Sequence, residues 1–214
     1  MEQRRYKALA LGHYTDARYH PFTDIDKELE SIFEGRLQVE STEQYERLNT
    51  EELSSHRLFI SYTEFMREKP LPADQVAALL SYVASGGGLL AIHNGISLQR
   101  NDELASMLGA VFTGHPAFTT LPVGISSPDH PIMQGIDAFT VDDEPYRFAF
   151  NLLQRTTILA EYEHEGERWP AAWAHEYGLG RIVYLMPGHQ LSAFKVDMYR
   201  KLIYNSGLWA GRIE

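Results

Sequence analysis

The pattern of apolar and polar positions changes period along the chain, and each change marks an element. A continuous apolar run over Tyr6–Gly12 ends in glycine, as a buried parallel strand does. Thr23–Glu34 takes a helical period, opened by Thr23 or Asp24 and stopped by Gly35. Arg36–Glu40 reads as a weaker strand, and the polar stretch to Ser55 as loop or irregular helix. His56–Tyr62 is again a strand, and Leu71-Pro72-Ala73-Asp74 opens a helix that runs to about Ala84. Ser85-Gly86-Gly87-Gly88 ends that helix. Leu89–His93 is then a buried strand, Asn94-Gly95 a tight turn and Asn101–Leu108 a short helix. Strand-then-helix units in series predict an α/β protein with an open, doubly wound, mostly parallel sheet.

The second half changes character. Phe118–Ile125 and Thr157–Glu163 read as strands, and the hairpin turns Glu165-Gly166 and Gly178-Leu179-Gly180 flank two more, Trp169–His175 and Arg181–Met186. This predicts an antiparallel meander added to the parallel sheet. A last helix over Leu191–Leu208 turns Phe194, Met198, Leu202 and Ile203 toward one face. With no repeat, low-complexity tract or linker, residues 1–214 read as a single domain. His13 and Tyr14 cut the first apolar run short of a signal-peptide core, and no stretch approaches the roughly 18 apolar residues of a membrane helix. The expectation is a soluble, cytoplasmic protein with no membrane partner.

Composition narrows the chemistry. With no cysteine, the chain has no disulfide, thiolate–metal site or cysteine nucleophile. A formal charge of −10 without any Lys/Arg cluster argues against a nucleic-acid partner. A reactive centre must therefore use histidines, carboxylates, hydroxyls or a bound ion. In open α/β sheets ligands sit beyond the carboxyl ends of the strands, so the polar residues that follow predicted strands are the candidates. His13 closes the first strand, with Arg18-Tyr19-His20-Pro21 in the loop after it, and His93 closes the central one. Gly114-His115-Pro116 follows Val111-Phe112, Asp142-Asp143-Glu144-Pro145-Tyr146 follows Phe139, and Pro187-Gly188-His189 follows Ile182–Met186. A lone histidine at a strand end is more often a hydrogen-bonded structural residue. His20, His93, His115 and His189, with Glu144, on one sheet edge point to a shared pocket, because burying several imidazoles without partners is costly. Ala91–Gly95 also has the strand–turn–helix form of a nucleophile elbow, with His93 at its apex. Elsewhere His56 and His164 read as exposed, His130 as a turn residue, and His175 as either buried or functional. Gly86-Gly87-Gly88 precedes a strand and is no phosphate loop, and the alternating Glu161, Glu163, Glu165 and Glu167 read as a solvated face.

Taken together and in order, several stretches resemble the ThuA-like (trehalose utilisation) family, which has the class I glutamine amidotransferase-like fold. They are Arg18-Tyr19-His20, Gly86 to His93, Phe112 to Pro116, His130 to Gly135, Asp143 to Tyr146, Pro170 to Trp173, and Gly178 to Tyr184 with Gly188-His189. In amidotransferases of this fold the elbow carries a cysteine and a late strand ends in a catalytic histidine. His93 falls on the cysteine position and His189 resembles the late histidine, so no glutaminase activity is expected. The resemblance implies a role in carbohydrate utilisation, with trehalose, another disaccharide or a keto sugar as the small-molecule partner.

Two readings of the site remain open. In the first the chain is an enzyme: His93, His189 and Glu144 are the catalytic acid/base groups, and His20, His115, Tyr146 and Trp173 bind substrate. Alternatively, two or three of His20, His93, His115 and His189, with or without Glu144, hold Zn²⁺ or another divalent metal, though no HExxH spacing is present. In the second reading the chain is a non-catalytic sugar-binding or accessory subunit beside a separate sugar dehydrogenase, with Tyr14, Tyr19, Tyr146 and Trp173 as a stacking platform. Either form is compatible with a homo-oligomer.

Overall fold

The computed structural model describes residues 6–15, 17, 19–65 and 70–214. Strands that are apolar at every position must be covered on both faces, and the first half of the chain meets that requirement. Four strands, β1 (Tyr6–Gly12), β2 (Leu37–Thr42), β3 (Leu58–Tyr62) and β4 (Gly88–Ile92), pair in parallel; every residue of β3 and β4 is buried, whereas the edge strand β2 carries Gln38 and Glu40 and is only partly covered. Between them lie α1 (Ile25–Ile32), α2 (Thr50–Ser54) and α3 (Ala73–Ala84), and α4 (Asp102–Leu108) follows β4. The remaining strands are β5 (Ala110–Gly114), β6 (Thr119–Ile125), β7 (Phe139–Asp143), β8 (Arg147–Phe150), β9 (Thr157–His164), β10 (Glu167–Tyr177) and β11 (Gly180–Leu185), and α5 (Asp197–Ala210) closes the chain.

The nine-stranded sheet has the order β2-β1-β3-β4-β11-β10-β9-β6-β7. β11 lies parallel to β4, and the strands from β11 outward pair antiparallel. The fold is thus an α/β domain with a parallel first half and an antiparallel second half. Helix α5 packs on β4, β11 and α1, whereas α3 packs with α2, α4 and β11, which covers the sheet on both faces.

Some elements depart from the sequence reading. The last helix begins at Asp197 and not near Leu191, because Val196 is extended (φ −76°, ψ 116°) and the residues before it form a short 3-10 turn, Ala193–Lys195. Asn94-Gly95 is no two-residue turn but lies within a 3-10 stretch over His93–Arg100. β8, which the sequence reading passed over, pairs with β5 in a separate two-stranded ribbon. His56 is buried, not exposed, since its Nδ1–H donates to Glu52 O (2.8 Å) and its Nε2 lies 3.3 Å from Glu40 Oε2. His164 is half-buried, with its Nδ1 3.0 Å from the Arg147 guanidinium.

Candidate functional site

Four chain segments meet beyond the carboxyl ends of the central strands. After β1 the chain turns back on itself: Phe22 N–H donates to His13 O (2.8 Å), which sets His20 over the sheet edge. After β4 the backbone of His93 enters the left-handed region (φ 45°). The elbow is fixed from several sides. The Tyr184 hydroxyl donates to His93 O (3.0 Å) and the Asn94 amide to Tyr62 O (3.0 Å). Gly95 presses so closely on β3 that a Cβ there would stand 2.1 Å from Ser61 O. After β7 come Glu144 and Tyr146, and after β11 come Gly188 (φ 143°) and His189.

The side chains converge. His20 Nε2 is 3.1 Å from His189 Nδ1, His189 Nδ1 is 3.2 Å from Glu144 Oε2, and His93 Nε2 is 3.5 Å from Glu144 Oε2. His20, His93, Glu144 and His189 form a group able to hold a metal, each offering one ligand atom, all within 4.8 Å of one another. His20 and His93 are buried at its base, and Glu144 and His189 are partly open. Carbonyl oxygens only accept, so the 2.8 Å contact from His93 Nδ1 to Met186 O places the proton on Nδ1. His93 Nε2 is left buried and without a hydrogen-bond partner among the described residues. His20 Nδ1 likewise faces Glu64 Oε2 at 3.0 Å, which leaves Nε2 for the cluster.

A tetrahedral zinc site with bonds near 2.0–2.1 Å separates its ligand atoms by roughly 3.3 Å. The three separations of 3.1, 3.2 and 3.5 Å bracket that value. The donor set fits a divalent ion, and the contacts of His20 with Glu64 and of His93 with Met186 O fix the two imidazoles in the way outer partners would orient such ligands.

Electrostatics bind the group together. Burial works to raise the pKa of Glu144, but the His189 hydrogen bond and the neighbouring His93 imidazole outweigh it and hold the carboxyl well below the usual range. The Glu144 hydrogen bond in turn raises the pKa of His189 against the effect of its partial burial. Burial lowers the pKa of His20 and outweighs the Glu64 hydrogen bond.

Of the residues singled out from sequence, His20, His93, Glu144 and His189 come together. His115 stands at the rim, its Nδ1 donating to Pro116 O (2.8 Å) and lying 3.8 Å from Glu144 Oε1. It is not part of the four-residue group. Tyr146 is buried with its ring 4.2 Å from the His93 ring. Trp173 is elsewhere: fully buried, its indole donates to Leu108 O (3.0 Å) and is enclosed by Phe148, Phe150 and Tyr184, so it has no face to offer a ligand. Tyr14 donates to Asp26 (2.7 Å), and Tyr19 is exposed beside His20. Arg18 lies outside the described residues. His175 is structural, buried with Nε2–H on Met107 O (2.9 Å), and His130 caps a 3-10 turn by accepting from Ile132 N–H (3.2 Å). His13 pairs with the Tyr45 hydroxyl.

Two residues were missed. Asp143, fully buried, accepts from Gly188 N–H (2.6 Å) and His189 N–H (3.2 Å), and so fixes the backbone that carries His189. Its signal was the alternation of Phe139, Val141 and Asp143 on the inward side of β7. Glu64 follows the end of β3, a strand end that the search for polar residues passed over.

An α/β fold of this topology, with a strained elbow carrying histidine and no cysteine, defines a class that keeps the amidotransferase frame without its nucleophile. Residues 12–210 match the ThuA family model, described as trehalose utilisation, and the chain belongs to that family. Among solved structures it is similar to a ThuA-like protein from Bacteroides uniformis ATCC 8492 (TM-score 0.81, 17% identity, 98% of this chain and 93% of that one). A cytoplasmic protein from Salmonella typhimurium LT2 also matches (TM-score 0.71, 14% identity, 95% and 99%). A β-galactosidase from Bacillus circulans sp. alkalophilus matches over 95% of this chain but only 30% of its own (TM-score 0.62, 13% identity). At these identities the likeness is one of fold. No curated protein sequence matches the chain.

Proposed function

We propose that the chain is a cytoplasmic enzyme of carbohydrate utilisation that acts on trehalose, another disaccharide or a keto sugar, using a divalent cation such as Zn²⁺ held by His20, His93, Glu144 and His189. The observation that carries this reading is the His93 imidazole. It is fully buried, its tautomer is set by Met186 O, and its Nε2 has no hydrogen-bond partner beside a carboxylate and two further imidazoles. Such an orphaned acceptor is costly in a purely structural cluster and is what a ligand position requires. A bound divalent ion supplies Lewis acidity toward a sugar carbonyl, hydroxyl or water oxygen. The protein's part is placement: Glu64 orients His20, Asp143 fixes the His189 backbone, and Tyr146 walls the cluster off beside His93. His115, 3.8 Å from Glu144, and Glu64, beside His20, are the polar groups this reading assigns to substrate hydroxyls. The family description and the Salmonella relative's name support the pathway and the compartment.

The test is metal analysis of protein purified without added ion, repeated on His93→Ala and His189→Ala. One equivalent in the wild type, lost in both variants, is expected. A wild type that takes up no metal from zinc, manganese or nickel solutions overturns the metal assignment. Metal-loaded protein that turns over neither trehalose nor its keto derivative, while either sugar raises its unfolding temperature, overturns the enzymatic reading in favour of an accessory binding role.

A further inference from the structure

The mouth of the cluster carries an apolar surface that metal binding does not use. Phe118 is 41% exposed, and its ring centroid lies 5.7 Å from that of His189, tilted by 56°. It ends the short connection from β5 to β6, the same connection that carries His115 beside Glu144. One loop thus sets an aromatic ring next to one member of the cluster and a hydrogen-bonding imidazole next to another. The contacts run Phe118 to His189, His189 to His20 (3.1 Å), and His20 to Glu64 (3.0 Å). The Glu64 side chain is 43% exposed. The cluster is therefore flanked by an apolar wall, the Phe118 ring at His189, and by polar ones, His115 at Glu144 and Glu64 at His20.

A single exposed ring is ordinary on a protein surface; its position is what makes this one informative. Pyranose rings are amphipathic, with C–H groups on a face and hydroxyls at the rim, and they need this pairing of walls. Trp173 and Tyr146 are buried and offer no ring face; of the exposed rings beside the cluster, Phe118 shares its connection with His115, whereas Tyr19, 53% exposed, stands 6.4 Å from the His20 ring. We infer that Phe118 is the stacking platform for the C–H face of a pyranose ring whose rim hydroxyls reach His115 and Glu64, which makes it a specificity-determining residue. The inference rests on the sugar reading of the proposed function.

The experiment measures binding of trehalose, methyl glucoside and the keto derivative of trehalose to zinc-treated wild type, Phe118→Ala and Phe118→Trp. Sorbitol, an open-chain polyol without a ring face, is the control, and metal content is measured in each protein. A stacked aromatic contact predicts a loss of about tenfold in pyranoside affinity for Phe118→Ala and a change within about threefold for Phe118→Trp. Metal content is the same in all three, and sorbitol does not distinguish them. Undiminished pyranoside binding by Phe118→Ala, or an equal loss for sorbitol, overturns the platform and leaves the sugar reading standing. Failure of the wild type to bind any of the three pyranosides overturns both.

Discussion

The elbow makes a prediction whose sign is unusual. His93 has φ 45°, and a non-glycine residue in the left-handed region carries on the order of 1–2 kcal/mol of strain. His93→Ala and His93→Gly both remove the imidazole, its bond to Met186 O and its packing on Tyr146, so those losses cancel between them. The two variants differ by one Cβ. Glycine is relieved of the strain, and the greater freedom of its unfolded chain offsets about 0.4–1 kcal/mol of that relief. His93→Gly should therefore be more stable than His93→Ala by about 0.5–1 kcal/mol, whereas at an ordinary helical position alanine is favoured by a similar amount. Urea unfolding in the presence of a chelator, which removes metal linkage, reads the difference as a shift in midpoint at constant m. For a chain of this size the thermal shift is roughly 2–4 °C per kcal/mol. An alanine variant more stable than the glycine variant by about 0.4–1 kcal/mol would show that the elbow stores no strain.

Three further outcomes follow from the same geometry. Asp143→Asn keeps one acceptor oxygen, so whichever way the amide is turned its NH2 faces a backbone N–H, that of Glu144 or those of Gly188 and His189; it should cost about 2–3 kcal/mol in urea unfolding and reduce zinc affinity by roughly tenfold or more, and a cost below about 0.5 kcal/mol refutes its role in holding that backbone. His189 binds its proton more tightly than an isolated imidazole, chiefly through the Glu144 hydrogen bond, so a metal must displace that proton and zinc affinity should fall as pH is lowered from 8 to 6; a flat profile counts against His189 as a ligand. Glu40 is held down to about 2 from 4.5, first by the Lys7 hydrogen bond and then, against burial, by Arg47 and His56; a depressed folded-state pKa gives stability that is present above pH 4.5 and lost as pH falls toward 2, so acid titration of the thermal midpoint should be less steep in Glu40→Gln than in the wild type.

How much of this was legible in the sequence depended on which signal carried each part. The parallel strands were readable because burial on both faces forbids polar interruptions, and the run Tyr6–Gly12 is β1 to the residue. The last helix was overextended because apolar spacing continues through Phe194, although Val196 breaks the backbone period. β8 was invisible because Arg147–Phe150 joins a two-stranded ribbon, where pairing with β5 and not an apolar run defines the strand. For the site, the strand-end rule found His20, His93, Glu144 and His189 from topology alone. It misplaced Trp173, because the identity of an aromatic residue in a strand does not say which face it occupies. Trp173 faces the ribbon and pairs with Tyr184, away from the cluster. Asp143 was overshadowed by Glu144, one residue on, though only Asp143 falls on the buried parity of β7.

The absent cysteine is the sharpest link between sequence and chemistry. An elbow nucleophile works by being pushed out over the sheet edge, with its reactive atom free to meet a substrate. Here the mechanical parts of the elbow remain: the left-handed apex, Gly95 pressed on Ser61, and the Tyr184 hydroxyl on the apex carbonyl. The apex side chain is used differently. Its Nδ1 is tied to Met186 O, it is wholly enclosed, and its Nε2 faces Glu144, not solvent. On the proposed reading, an elbow that in a nucleophile enzyme exposes a reactive atom here holds a donor atom still. On the proposed metal site, the left-handed apex is what fixes His93 Nε2 at 3.5 Å from Glu144 Oε2.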